Sequence, residues 1–181
     1  DLYITEGRYA DAERWYAEAS TRFPNEPGLL SLKGRLSEAQ DDWSGARNAY
    51  TQALALQPEN PDLHYHLSQI EIQANRPSVA RWELLQALAL SPDDPRLWKL
   101  LGYLAEKQGD GAEAARFYQM AIQPDALINA GRMLESRNQP EQAMAMYNAA
   151  ENLAVGDADV LFNLGMVYAG LRQEERAVSA F

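Results

Sequence analysis

Pro24, Pro58 and Pro92 recur at a fixed step of 34 residues, and each closes the same helical pattern. A step of that length is a repeat length, and it predicts stacked helix pairs rather than one globular enzyme core. Twelve residues before each proline stands an alanine, Ala12, Ala46 and Ala80, with a second column at Ala19, Ala53 and Ala87. Three columns in phase define the ruler for the rest of the chain.

Measured with it, the units run over about 1–26 (partial), 27–60, 61–94, 95–123, 124–157 and 158–181 (partial). Pro27, Pro61 and Pro95 open three of them, where the missing N–H costs no helical hydrogen bond and the fixed φ is already helical. Each unit holds two apolar faces of helical period, as in Leu63, Leu67, Ile70 and Ala74 followed by Ala80, Leu84, Ala87 and Leu88. Between the halves stand Gly7, Asp41, Asn75, Gly109 and Asn138, residue types that accept a left-handed conformation. A loop of about three residues makes the two helices antiparallel neighbours.

Small residues in the first helices, Gly34, Ser68, Gly102, Gly131 and Gly165, are expected to face Ala46, Ala80, Ala114, Ala143 and Ala177 in the second, allowing close approach. One turn later come Tyr16, Tyr50, Leu84, Tyr118, Tyr147 and Phe181, expected in the core between hairpins. From Ala114 to Ala143 the step falls to 29, a deficit of five located between Gln123 and Pro124. Either a loop is absent there, the reading favoured because the fifth repeat resumes in phase, or the second helix is shortened. Asp1 falls midway through a first helix and Phe181 midway through a second, with no polar capping helix, so the array is expected to be a segment of a longer one.

These columns resemble the tetratricopeptide repeat family over the whole chain. The best matches are Trp98, Leu101, Gly102, Ala114, Tyr118 and Ala121, and then Leu161, Leu164, Gly165, Tyr168, Ala177 and Phe181. Lys33, where Leu67, Leu101 and Leu164 stand elsewhere, and Leu84 in the aromatic column depart from the pattern. The resemblance implies an all-α, right-handed solenoid of helix hairpins whose first helices line a concave groove. On that face would lie Arg35 and Glu38; Tyr65, His66, Gln69 and Gln73; Arg96, Lys99, Tyr103, Glu106 and Lys107; Asn129, Arg132 and Glu135; then Phe162, Asn163 and Met166. Arg35, Lys99 and Arg132 offer donors to carboxylates or carbonyls, and Tyr65, Tyr103 and Phe162 offer broad contact area at low rotamer cost.

Two groove chemistries of the family imply particular residues along this face. The carboxylate clamp of chaperone-tail binders would place Lys99, Tyr103, Asn129, Asp159 and Asn163 at its positions, of which only the first and third fit, and Asp159 opposes an anion. The asparagine ladder of glycosyltransferase-associated arrays is met at Asn129 and Asn163 but broken by Leu32, His66 and Leu100.

Chemistry elsewhere in the chain is sparse. No Gly-rich phosphate loop, G-x-S-x-G elbow or zinc-helix motif is present. The two histidines, His64 and His66, stand two apart on a helix and point in different directions; His66 has Asp62 at a four-residue spacing. Two histidines fall short of the three or four protein ligands zinc takes, so neither metal nor cofactor is expected. Asp41-Asp42 and Glu174-Glu175 sit at second-helix starts, where carboxylates favour the helix dipole. With 26 acidic against 16 basic side chains the formal net charge is -10, which argues against nucleic acid as the main ligand. No apolar run approaches the roughly 20 residues of a membrane span. Cysteine is absent, which excludes thiol chemistry and leaves the compartment, cytoplasm or bacterial periplasm, open. The sequence therefore points to a non-catalytic scaffold that holds a protein or peptide partner in its groove. The alternative is a rigid spacer arm of a larger machine, such as a periplasmic or outer-membrane secretion or polysaccharide-export protein, or of a transferase.

Overall fold

The computed structural model describes residues 2–180; Asp1 and Phe181 lie outside the described residues. It contains α1 (Leu2–Thr5), α2 (Tyr9–Arg22), α3 (Pro27–Ala39), α4 (Trp43–Leu56), α5 (Pro61–Gln73), α6 (Pro77–Leu90), α7 (Pro95–Lys107), α8 (Gly111–Ala121), α9 (Pro124–Ser136), α10 (Pro140–Leu153), α11 (Ala158–Gly170) and α12 (Glu174–Ala180). Among the described residues there is no strand, and no helix is long and apolar enough to cross a membrane. Successive helices pair as hairpins, giving an all-α fold of repeated units. The chain divides into two compact units, Asp1–Asp93 and Asp94–Phe181.

The hairpin turns are six copies of one capping device. Gly7, Asp41, Asn75, Gly109, Asn138 and Arg172 all have positive φ, between 54° and 81°. The residue after each sends its N–H back into the first helix: Asp42 to the Ser37 carbonyl at 2.8 Å, Arg76 to Glu71 at 2.8 Å, Asp110 to Ala105 at 3.0 Å, Gln139 to Leu134 at 3.0 Å. This six-to-one bond satisfies carbonyls that the helix end would leave unpaired. Five of the six left-handed positions are those the sequence predicts. Arg172 is the addition, one repeat step after Asn138, and it holds φ 58° without glycine's freedom or an Asn side chain.

Helix starts follow from proline and from carboxylate or amide caps. Pro27, Pro61 and Pro95 occupy the first turn as expected, and Pro77, Pro124 and Pro140 do the same. Asp42, Asp110 and Asp157 accept from the N–H three residues on, and Asn60 and Asp94 from the N–H two residues on. The Gly45 N–H and the Ser44 hydroxyl hold the Asp42 carboxyl below the usual carboxylate range.

Around residue 123 the five-residue deficit is divided between a helix and a turn. α8 has 11 residues where α2, α4, α6 and α10 have 14, and two residues join α8 to α9 where four join α4 to α5. Ile122 makes the bend with φ 49°, an uncommon conformation for a β-branched residue. Its N–H bonds the Gln119 carbonyl, and the Gln123 carbonyl accepts from Leu127 at 2.9 Å.

In the first unit the core joins Leu30, Ala46, Tyr50, Ala53, Leu63, Leu67 and Ile70. In the second, Ala114, Tyr118, Ala121, Ala126 and Ala130 form one cluster, and Leu127, Leu134, Tyr147, Leu164 and Tyr168 belong to another. Three expected core positions differ. Ala74 is exposed because α5 ends at Gln73 and Ala74 caps it; Leu88 and Tyr16 are only half-buried. Lys33 stays at the surface, its ammonium 5.8 Å from the Tyr16 ring centre.

The small column makes room for the aromatic column of the second helices. A Cβ on Gly34 would lie 2.5 Å from the Tyr50 ring, one on Gly102 would lie 2.6 Å from Tyr118, and one on Gly131 would run into Tyr147. The first helix is therefore small where the aromatic ring of the second packs against it. Ser68 breaks the glycine run in the one described repeat whose aromatic is replaced, by Leu84, and both are fully buried. We expect Gly102→Ala to cost about 1–3 kcal/mol in denaturant melts. The cost should be smaller in a Tyr118→Leu background, and a double-mutant cycle returning no coupling would refute the interlock.

Candidate functional site

The predicted groove residues fall into rows set by their register against the small column. One residue after it stand Arg35 and Gln69 in the first unit and Tyr103, Arg132 and Met166 in the second. Three residues before it stand Tyr65 in the first unit, and Lys99, Ile128 and Phe162 in the second. Ile128, with 2% of its surface exposed, is withdrawn into the core, so this row is interrupted at α9.

In the first unit several of these side chains contact one another. Gln69 donates from Nε2 to the Tyr65 hydroxyl at 3.2 Å. His66 stacks on Tyr50 with ring centroids 4.8 Å apart and planes within 9°, and its Nδ1 lies 3.3 Å from Glu38 Oε2. Arg35 is half-buried and lines a cleft of about 720 Å³ with Leu2, Tyr3, Trp15, Leu29 and Leu32.

In the second unit more of the face is open. Tyr103 is 39% exposed, Phe162 57% and Met166 55%. The Lys107 ammonium lies 5.3 Å from the Tyr103 ring centre, and Lys99 donates to Asp125 at 3.0 Å. Asn129 is half-buried and Asn163 exposed. Arg132 and Met166 share a shallow cleft of about 370 Å³ with Glu135, Val167, Gly170 and Leu171.

A set of polar contacts behind this face was not anticipated from the sequence. The buried tyrosines turn their hydroxyls to glutamates on the first helices: Tyr50 donates to Glu38 at 2.7 Å, Tyr118 to Glu106 at 2.7 Å and Tyr147 to Glu135 at 2.6 Å. A buried phenol hydroxyl without a partner would be costly. The signal was available: Glu stands twelve residues before each of these tyrosines, whereas Ile72 precedes Leu84 and Ala169 precedes Phe181 at that spacing. Tyr168 uses a different acceptor, Glu151 at 3.0 Å, and Arg176 lies over its ring at 4.2 Å while donating to its hydroxyl and to Asn148, each at 2.7 Å. Arg176 also pairs with Glu151.

The remaining buried charges are partnered within the first unit. His64 Nδ1 lies 2.7 Å from Glu83, and Glu71 sits between Arg47 at 2.9 Å and Arg76 at 2.7 Å. Among the described residues no group of three or more potential ligands converges to hold a metal ion.

Comparison with known proteins agrees with this architecture. A tetratricopeptide repeat sequence profile matches residues 38–102. Human tetratricopeptide repeat protein 7B is 29% identical over 126 residues, covering 70% of this chain and 15% of its own length, so the chain spans a small part of that relative. The solved structure of Pseudomonas aeruginosa pilF superposes with a TM-score of 0.79 at 19% identity, covering 98% of this chain and 83% of that one. YrrB, described as a tetratricopeptide protein with an unusual peptide-binding site, superposes with a TM-score of 0.65 at 19% identity over 91% of this chain and 88% of its own. The fold and its rows of small, aromatic and left-handed residues define a helical-repeat interaction scaffold. The profile match, the human relative and the solved structures make this chain similar to tetratricopeptide repeat proteins.

Burial and the neighbouring carboxylates push the phenol pKa values of Tyr50, Tyr118 and Tyr147 well up, and burial with Glu151 pushes Tyr168 up to about 12. A phenol whose pKa is higher folded than unfolded contributes stability in full below about 10, its unfolded value. That contribution is lost as pH rises toward the folded value, near 12 for Tyr168. In an alkaline titration, phenolate absorbance from these four residues should therefore appear together with loss of helical ellipticity; ionisation in a still-helical protein would count against the buried contacts.

Proposed function

We propose that the first-helix face of unit Asp94–Phe181 holds an extended segment of a protein partner. The observation that carries this is the row Tyr103, Arg132 and Met166, flanked by Phe162: three apolar side chains between 39% and 57% exposed, alternating with a guanidinium and with the amides of Asn129 and Asn163. Large apolar groups rimmed by polar donors are the usual composition of a contact patch, with aromatic and Arg residues supplying most of the binding energy. The amides suit peptide carbonyls and N–H groups, which present the same pattern whatever the partner's sequence.

The reading is of a non-catalytic scaffold. His64 is occupied by Glu83, and His66 by the Tyr50 ring and Glu38, so the residues best suited to proton transfer serve packing. Net charge -10 favours protein over nucleic acid as the partner. A peptide-binding site described for a protein of the same fold supports a peptide ligand. In the first unit, Arg35, Tyr65 and Gln69 would add contacts only after giving up part of their present ones, as the Gln69–Tyr65 bond shows.

The test is capture of partners by the full-length protein with cross-linking, comparing wild type with Tyr103→Ala/Arg132→Glu and with Phe162→Ala. Each variant should retain its helical signal and weaken binding of the cross-linked partner by about tenfold or more. Undiminished capture by both variants would overturn the groove reading and favour a spacer arm.

A further inference from the structure

We propose that the cleft between α9 and α11 is a subsite for a lysine or arginine side chain of the bound segment, with Glu135 as the recognising carboxylate. The inference rests on the groove reading above and names the chemistry of what the groove takes.

Glu135 is held in place from behind. The Tyr147 hydroxyl donates to its Oε2 at 2.6 Å, and the Tyr147 ring is fully buried against Gly131, with no room to swing. The carboxylate is thus fixed before any ligand arrives, which lowers the entropy cost of binding. Its charge has no cationic partner among the described residues. Arg132 lies one turn earlier on α9 without pairing to it. Of the comparable glutamates, Glu38 has the His66 ring at 3.3 Å and Glu151 has Arg176, whereas Glu106 resembles Glu135 in having no cation paired with it among the described residues. In the register that His66 occupies beside Glu38, the residue following Glu135 is Asn163, which is neutral and exposed.

The rest of the cleft suits a long side chain with a charged end. Met166, Val167 and Leu171 provide apolar wall for the methylene stem, and Gly170 has nothing within 4 Å of where a Cβ would be, so that side is open. A volume of about 370 Å³ is at the small end of ligand pockets, suited to one side chain rather than a folded element. The chain's formal charge of -10 draws basic segments toward it. Arg132 is left to bond the partner's carbonyls.

A random peptide display library, panned on the intact protein, tests this directly. Wild type should enrich peptides carrying Lys or Arg. Enrichment should fall about tenfold on Glu135→Gln, the loss expected for a charge-assisted contact. It should fall similarly on Gly170→Lys, which puts a tethered ammonium into the cleft without touching the core, so the outcome does not depend on Glu135→Gln folding well. Basic peptides retained by both variants, or wild-type selection of acidic or purely apolar peptides, would overturn the subsite while leaving the groove in place. Recovery of no peptide on any variant would overturn both.

Discussion

The fold depends on the contact of a tyrosine ring in three of the second helices, α4, α8 and α10, with a residue in the first helix that has no side chain. Gly34 with Tyr50, Gly102 with Tyr118 and Gly131 with Tyr147 bring the two helices together at a separation that any Cβ would prevent. The large buried ring supplies apolar area, and the missing side chain supplies the space for it. Where the ring is absent, at Leu84, the glycine is absent too, and Ser68 takes its place. A packing unit that varies as a pair is maintained by shape.

That contact also determines what reaches the groove. A tyrosine buried to its ring must still satisfy its hydroxyl, and the nearest route is across the first helix to the glutamate one turn beyond the glycine. The core thereby fixes carboxylates on the face that a partner would meet. In the first unit Glu38 is then covered by His66, while in the second Glu106 and Glu135 have no cation paired with them among the described residues. The two units share one packing rule and present different surfaces because the covering residue, His66 in one and Asn129 or Asn163 in the other, lies outside the packing rule.

Much of this was legible in the residues, and the misses have physical causes. Left-handed turns at Asp41, Asn75, Gly109 and Asn138 were readable because few residue types tolerate that conformation; Arg172 was missed because it is not one of them, although the repeat step pointed to it. Ala74 was misplaced because a helical period does not announce where the helix stops. Of the residues expected on the groove face, Lys99 is engaged with Asp125 and Gln69 with Tyr65. Such pairings depend on rotamers that spacing does not specify.

By itself, the sequence determined the helix hairpins, their repeat step and most of their turns, because these follow from periodicity and from residues with few allowed conformations. Only the tertiary structure decided that the glycines pack against the tyrosine rings, that the tyrosine hydroxyls end on Glu38, Glu106 and Glu135, and which of those carboxylates are left without a paired cation. The first set is written in local backbone preference. The second is set by distances between side chains some 12 to 28 residues apart, which exist only once the helices have packed.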